Sequence, residues 1–201
     1  MNSRVMRWSR RNGTSGEVII KNISCWGLTM DDQRFLYIVG DDKVTRCRMG
    51  ETNETVVAGD NGYNDRLNQL NFPTYVFVDR EYSVYVSDKN NHRVMKWMKD
   101  AKEGIIVVGG RGEGNDLTQL SQPRGIFVDQ MGTLYVADYE NDRVMRWYKG
   151  ETQGDVIAGG KGIGEQANQL SRPEGLSFDR HGNLYVADCI NNRVQRFSIE
   201  K

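Results

Sequence analysis

Apolar runs of about four to six residues, rich in valine, isoleucine, tyrosine and phenylalanine, are set apart along this chain by polar, glycine-containing stretches. No window carries apolar residues at i, i+3, i+4 and i+7 for three turns, and glycine interrupts every candidate helix, so the pattern predicts strands and turns only. The stretch from Pro123 to Arg172 shows the unit. Gly125-Ile-Phe-Val-Asp129 is a β-branched and aromatic run ended by a turn former, a first strand, a. The turn Asp129-Gln-Met-Gly132 resembles Asp179-Arg-His-Gly182, with glycine where a tight hairpin wants positive φ. Strand b, Leu134-Tyr-Val-Ala-Asp138, is apolar on both alternating faces and should be covered on both. A polar loop, Tyr139-Glu-Asn-Asp142, leads to strand c, Arg143 to Trp147. After Gly150-Glu-Thr-Gln-Gly154 comes strand d, Asp155-Val-Ile-Ala158, and a loop through Gly159, Gly160, Gly162 and Gly164 returns to the next proline.

This unit recurs. Asn2-Ser-Arg-Val-Met-Arg-Trp8, Asp42-Lys-Val-Thr-Arg-Cys47, Asn91-His-Arg-Val-Met-Lys-Trp97, Asn141-Asp-Arg-Val-Met-Arg-Trp147 and Asn191-Asn-Arg-Val-Gln-Arg-Phe197 are versions of one motif. Val44, Val94, Val144 and Val194 fall 50 residues apart, and Tyr85, Tyr135 and Tyr185, Gly59, Gly109 and Gly159, and Pro73, Pro123 and Pro173 keep the same step. A period of this size marks a solenoid, a propeller or an array of small units. Four-stranded antiparallel units around an axis are the blades of a β-propeller, which leaves only short sheet edges open. The expected fold is therefore all-β, a single propeller domain over residues 1–201 with repeats near 1–24, 25–72, 73–122, 123–172 and 173–201. The chain starts and ends mid-blade. Either strand d at Glu17 to Ile20 completes the last sheet and closes a ring of about four blades, or the chain is a four-to-five-blade arc of a larger propeller; the surplus first strand c and the abrupt start at Met1 favour the arc. The first repeat also lacks about ten residues of the d-to-a loop and two of the b-to-c loop, and Cys25 stands where the others have proline.

Composition narrows the functional classes. Lysine plus arginine, 27, equals aspartate plus glutamate, 27, so no global field draws nucleic acid or anionic membrane. No run approaches the roughly 20 apolar residues of a membrane helix. Met1 to Arg11 lacks the apolar stretch of a secretory signal, which favours the cytoplasm. If the chain is a fragment of a longer, secreted protein, the acceptors Asn12-Gly-Thr14, Asn22-Ile-Ser24 and Asn53-Glu-Thr55 gain meaning. Cys25, Cys47 and Cys189 lie far apart without CxxC spacing and suggest neither disulfides nor zinc.

Asn91-His-Arg-Val94, with Leu134-Tyr-Val-Ala-Asp138 and Pro123-Arg-Gly-Ile126 at their places in the unit, resembles the NHL repeat. The resemblance spans almost the whole chain and implies a propeller, in that family most often of about six blades. It leaves function open, because such propellers serve protein interaction and RNA binding in tripartite-motif ubiquitin ligases, form a peptide-amidating lyase, and accompany serine/threonine kinase domains.

Residues that recur in every blade serve what every blade needs; a binding site on a ring is built from residues that differ. Asp88, Asp138 and Asp188 precede Arg93, Arg143 and Arg193 by five residues, placing a carboxylate–guanidinium pair across each b-to-c turn. Trp8, Trp97, Trp147 and Phe197 end strand c and are expected to fill the wedge between blades. Gly109-Gly-Arg-Gly-Glu-Gly114 and Gly159-Gly-Lys-Gly-Ile-Gly164 invite a phosphate-binding reading, but neither GK[ST] nor a helix follows, and the later Gln69-Leu70, Gln119-Leu120 and Gln169-Leu170 should tuck into the core. His92 and His181 belong to different turns on opposite faces, so no metal site, no cofactor and no triad is indicated, and the histidine-bound zinc of the amidating lyase has no counterpart set. Without a RING-like cluster, a ubiquitin-ligase role needs another chain. The differing positions gather at the channel mouth: Trp26, Thr74, Arg124 and Glu174 after the proline slot, Tyr75 where other repeats have glycine, and Lys89, Tyr139 and Cys189 after the aspartate. This aromatic and charged mixture is that of a protein or peptide contact surface. The expected function is a non-catalytic scaffold that binds a protein or peptide there. Single-stranded RNA binding by the same face, and a channel lyase or hydrolase, are the alternatives; Glu113, Glu140, Glu165 and Glu174 dilute the basic residues that RNA would need. Further blades or a partner chain are expected to complete an open ring.

Overall fold

The computed structural model describes residues 3–9, 15–49, 51 and 53–199; Asn2 and the acceptor Asn12-Gly-Thr14 lie outside the described residues. The described chain forms seventeen strands in five antiparallel sheets. β1 (Arg4–Trp8) and β2 (Gly16–Lys21) make a two-stranded sheet. Three four-stranded blades follow: β3 (Gly27–Met30), β4 (Phe35–Val39), β5 (Lys43–Arg48) and β6 (Glu54–Gly59); β7 (Pro73–Val78), β8 (Val84–Asp88), β9 (Arg93–Trp97) and β10 (Ile105–Gly109); β11 (Pro123–Val128), β12 (Leu134–Asp138), β13 (Arg143–Trp147) and β14 (Asp155–Gly159). β15 (Pro173–Phe178), β16 (Asn183–Asp188) and β17 (Arg193–Ser198) form a last, three-stranded sheet.

Each blade is a meander in chain order, and the innermost strands β3, β7, β11 and β15 lie side by side around the axis. They approach closely because glycine sits at the contact: a Cβ on Gly27 would meet the Thr74 carbonyl at 2.5 Å, and one on Gly125 would collide with the Glu174 carbonyl. β8 and β12 are buried at every residue, the expected consequence of apolar residues on both faces of a strand held between two neighbouring blades.

The core is divided into layers between successive sheets. Val44, Trp97 and Met95 share one layer, Val94, Trp147 and Met145 the next, and Val144 and Leu184 a third with Phe197 against it. The aromatic that ends strand c thus faces the preceding blade. Trp97 and Trp147 are 1% and 2% exposed, each flat against a glycine, Gly104 or Gly154. Trp8 departs from the expectation: it belongs to the two-stranded sheet, no described sheet lies on its outer side, and it is 58% exposed. At the other end Val194 is 68% exposed, although its repeat partners Val44, Val94 and Val144 are 0%.

The molecule is therefore a propeller arc. The four-blade ring is not formed, because β2 pairs with β1 through Val5 and Ile20 and does not add to the three-stranded sheet of β17.

A candidate binding rim at the channel mouth

At one end of the blades the b-to-c turns meet the loops that run from strand d to the next strand a. The buried aspartate that ends strand b organises this junction. Asp88, Asp138 and Asp188 each accept the amide of the residue after the tucked leucine (Asn71, Ser121, Ser171) at 2.7 Å, and the arginine Nε of Arg93, Arg143 or Arg193 at 2.7 Å. The side-chain amides of Asn91, Asn141 and Asn191 add a third donor.

The rest of each guanidinium clamps the glycine-rich loop. Arg143 donates to the carbonyls of Asn115, Asp116 and Gln119, and Arg93 to those of Asp65, Arg66 and Gln69. Leu70, Leu120 and Leu170 are fully buried beneath the loops, and the Gln119 side chain folds back onto the Arg111 carbonyl at 3.2 Å. Burial is the largest influence on Asp88 and Asp138 and pushes both carboxyls up despite their donors. Burial also pushes on Asp188, but in the last sheet, where Arg193 is 30% exposed, the donors outweigh it and the carboxyl is lowered. The blade of β3 to β6 lacks the device: Gly40 and Lys43 replace the pair, and Lys43 Nζ meets Asp60 at 2.9 Å.

On this frame the differing residues form a strip around the axis. Trp26, half exposed, donates its indole N–H to Asp41 at 3.0 Å and places its ring 5.1 Å from Phe72. Lys89 holds its ammonium 5.2 Å above the same Phe72 ring. Arg124 stacks on Tyr139 at 4.2 Å and gives Nη1 to Glu174 Oε1 at 2.6 Å. Arg172 approaches the Tyr139 ring at 5.4 Å and pairs with Glu140 at 3.2 Å. Tyr75 crosses to another blade, its hydroxyl 3.5 Å from where a Cβ on Gly175 would stand, an ordinary van der Waals contact. Burial, then the charge of Glu174, pushes the Tyr75 phenol up; the same two influences raise the Cys189 thiol.

Of the positions singled out from sequence, Trp26, Tyr75, Lys89, Arg124, Tyr139, Glu174 and Cys189 fall into this strip. Thr74 does not. It is 4% exposed and its hydroxyl points to the Pro123 carbonyl of the next blade at 3.5 Å, because strand alternation turns it away from its neighbour Tyr75. Phe72 and Arg172 were missed, although the slot before the proline (Phe72, Gln122, Arg172) varies as much as the slot after it, and Glu140 was read only as an acidic residue that dilutes the face.

His92 is a strut between blades: its Nδ1 accepts the Gln122 amide at 3.2 Å, the place taken by Asp142 toward the Arg172 amide at 2.8 Å. His181 lies in the β15–β16 turn, at the opposite end. Among the described residues no cluster of three or more His, Cys, Asp or Glu side chains is placed to hold a metal, and no helix is long and apolar enough to cross a membrane. A groove of about 650 Å³ lies away from the rim, at the turns of the β7 and β11 blades beneath Phe77, Ile106 and Trp147.

Residues 120–146 and 170–197 match the NHL repeat. Among solved structures, an auxiliary nutrient binding protein from Bacteroides thetaiotaomicron superposes on 100% of this chain and 55% of its own length, with a TM-score of 0.75 at 17% identity. A protein of unknown function from the same organism matches 98% of this chain and 57% of its own, with a TM-score of 0.72 at 17% identity. A nidogen/laminin complex aligns over 97% of this chain and 74% of the other, with a TM-score of 0.67 at 16% identity. The chain thus spans little more than half of the two bacterial proteins. No curated protein matches it in sequence. At these identities the likeness is one of fold.

Proposed function

We propose that this NHL-repeat propeller arc, acting as one domain over residues 1–201, is a non-catalytic scaffold that binds a protein or peptide across its channel-mouth rim. The observation that carries the reading is the contrast between frame and strip. Aspartate, asparagine, arginine and leucine repeat from blade to blade and are used up in holding loops, whereas Trp26, Phe72, Tyr75, Lys89, Arg124, Tyr139 and Arg172 differ at equivalent slots and meet at one end of the axis. Aromatic and arginine side chains dominate the energetics of protein interfaces. The propellers of similar fold named as a nutrient binding protein and as a nidogen/laminin complex agree with a binding role for such a frame. Single-stranded RNA is less well matched, because Lys89, Arg124 and Arg172 are accompanied by Asp41, Glu140 and Glu174 within the same strip.

The test is a random array of blocked ten-residue peptides probed with the wild-type chain and with a Trp26→Ala/Tyr75→Ala/Arg124→Ala variant of unchanged circular dichroism. Peptides that bind the wild type and lose about ten-fold or more in affinity on the variant are expected. Equal binding by both would remove the rim as the site.

A further inference from the structure

Three residues of the rim carry donors without an acceptor among the described residues. Arg124 spends Nη1 on Glu174, but its Nε is shut off from solvent without a hydrogen bond, and the Nη2 beside it makes none either. Among the described residues the Lys89 ammonium makes no hydrogen bond; it lies 5.2 Å above the Phe72 ring. The half-buried Tyr75 hydroxyl, held over Gly175, makes none. Contacts tie these groups together: Arg124 holds Glu174, whose neighbour Gly175 lies under the Tyr75 hydroxyl, and the Arg124 carbonyl accepts the hydroxyl of Ser87, two residues before Lys89. Two cations, a hydroxyl and the unpaired Nη2 of a guanidinium form a site for an anion with two oxygens.

We propose that the rim receives the carboxylate of an aspartate or glutamate side chain of a bound peptide, taken by the unpaired Nη2 of Arg124 with Lys89 and Tyr75 as further donors. The inference rests on the scaffold reading and names its ligand chemistry. Glu174 on Nη1 at 2.6 Å shows that the guanidinium plane accepts a carboxylate here. The aromatic faces of Tyr139 under Arg124 and Phe72 under Lys89 hold both cations in place before the ligand arrives, which lowers the ordering cost of binding. One carboxylate suits the site better than a polyanion. Across the strip Asp41, Glu140 and Glu174 offset Lys89, Arg124 and Arg172, so a phosphate backbone finds little net attraction while a single anion finds three local donors.

The experiment takes the tightest rim-dependent peptide from the ten-residue array and measures its affinity by fluorescence anisotropy, together with versions in which each Asp or Glu is replaced by Asn or Gln. Wild type, Arg124→Gln, Lys89→Met and Tyr75→Phe are compared, each with its melting curve. Neutralising one acidic residue is expected to weaken wild-type binding about ten-fold or more, and to change binding to Arg124→Gln or Lys89→Met by much less, since the pair is coupled. Lys89→Met keeps the test open if Arg124→Gln folds poorly. A rim-dependent peptide indifferent to neutralisation overturns the carboxylate and leaves the scaffold standing; peptides indifferent to the triple alanine variant overturn the scaffold itself. Competition by an unstructured oligouridylate with a steep loss on added salt would replace the carboxylate by RNA.

Discussion

Removing the Arg143 side chain tests how the rim is held. Arg143 is 7% exposed, its partner Asp138 is 0% exposed, and its other nitrogens bind three carbonyls of the loop between β10 and β11. Arg143→Ala leaves a buried carboxylate without its cation. Breaking such a pair from one side costs about 3–5 kcal/mol, a large part of the roughly 5–15 kcal/mol that holds a domain together. The three loop carbonyls can turn to water, so they add little to the loss. Arg193→Ala is the internal control: the same bonds are made, but Arg193 is 30% exposed and Asp188 has the lowered rather than raised carboxyl, so about 1–3 kcal/mol is expected. Urea denaturation reports the total, and amide hydrogen exchange reports its location, which matters because a repeat array need not unfold in one step. Residues 110–121 should lose protection in Arg143→Ala before the strands do. Equal losses in the two variants, or a loss below about 1 kcal/mol for Arg143→Ala, would refute the idea that the buried pair holds the loop.

Gly125→Ala is expected to cost about 1–3 kcal/mol in a melt, because its Cβ would collide with the Glu174 carbonyl between two blades and φ there is ordinary, leaving packing as the sole cause. Asp100→Gly should raise the stability measured in a melt by up to about 1 kcal/mol, since Asp100 holds φ 61° at an exposed turn where Gly150 stands one repeat later at φ 87°. The Asp179 carboxyl is lowered to about 2, first by the Asn183 side-chain amide and further by the Asn183 and His181 backbone amides. Its folded value lies below the unfolded one, so it supports the β15–β16 turn fully above about pH 4 and loses that support as pH falls toward 2; a carboxyl titration by NMR with a midpoint near 4 would contradict this. Val194→Lys should be tolerated within about 0.5 kcal/mol, whereas Val144→Lys buries an unpaired charge and should unfold its blade. A damaging Val194→Lys, accompanied by a change in mass by light scattering, would mean that another copy covers this face in solution.

The blades were legible because their signals are local. Alternation gives a strand, Gly132 or Gly182 gives a turn, and 50-residue spacing gives the repeat, and none of these needs knowledge of a distant residue. Even so, Arg34 and Tyr82 occupy the left-handed turn position without glycine, at φ 67° and 61°, which a glycine-based reading passes over. The Asp–Arg spacing was readable as a pair, but the carbonyls that make Arg143 a clamp leave no mark in a sequence, since every residue has one. The rim was half legible for a related reason. Positions that break a repeat can be found by alignment of the chain with itself, which located Trp26, Tyr75, Arg124 and Tyr139. Which of them touch depends on how blades pack around the axis. Thr74 and Tyr75 are adjacent in sequence, yet one is buried against Pro123 and the other crosses to Gly175, and that division follows from strand alternation once β7 and β15 are held on either side of β11. Self-comparison therefore finds the residues free to serve function, and packing decides which of them face the ligand.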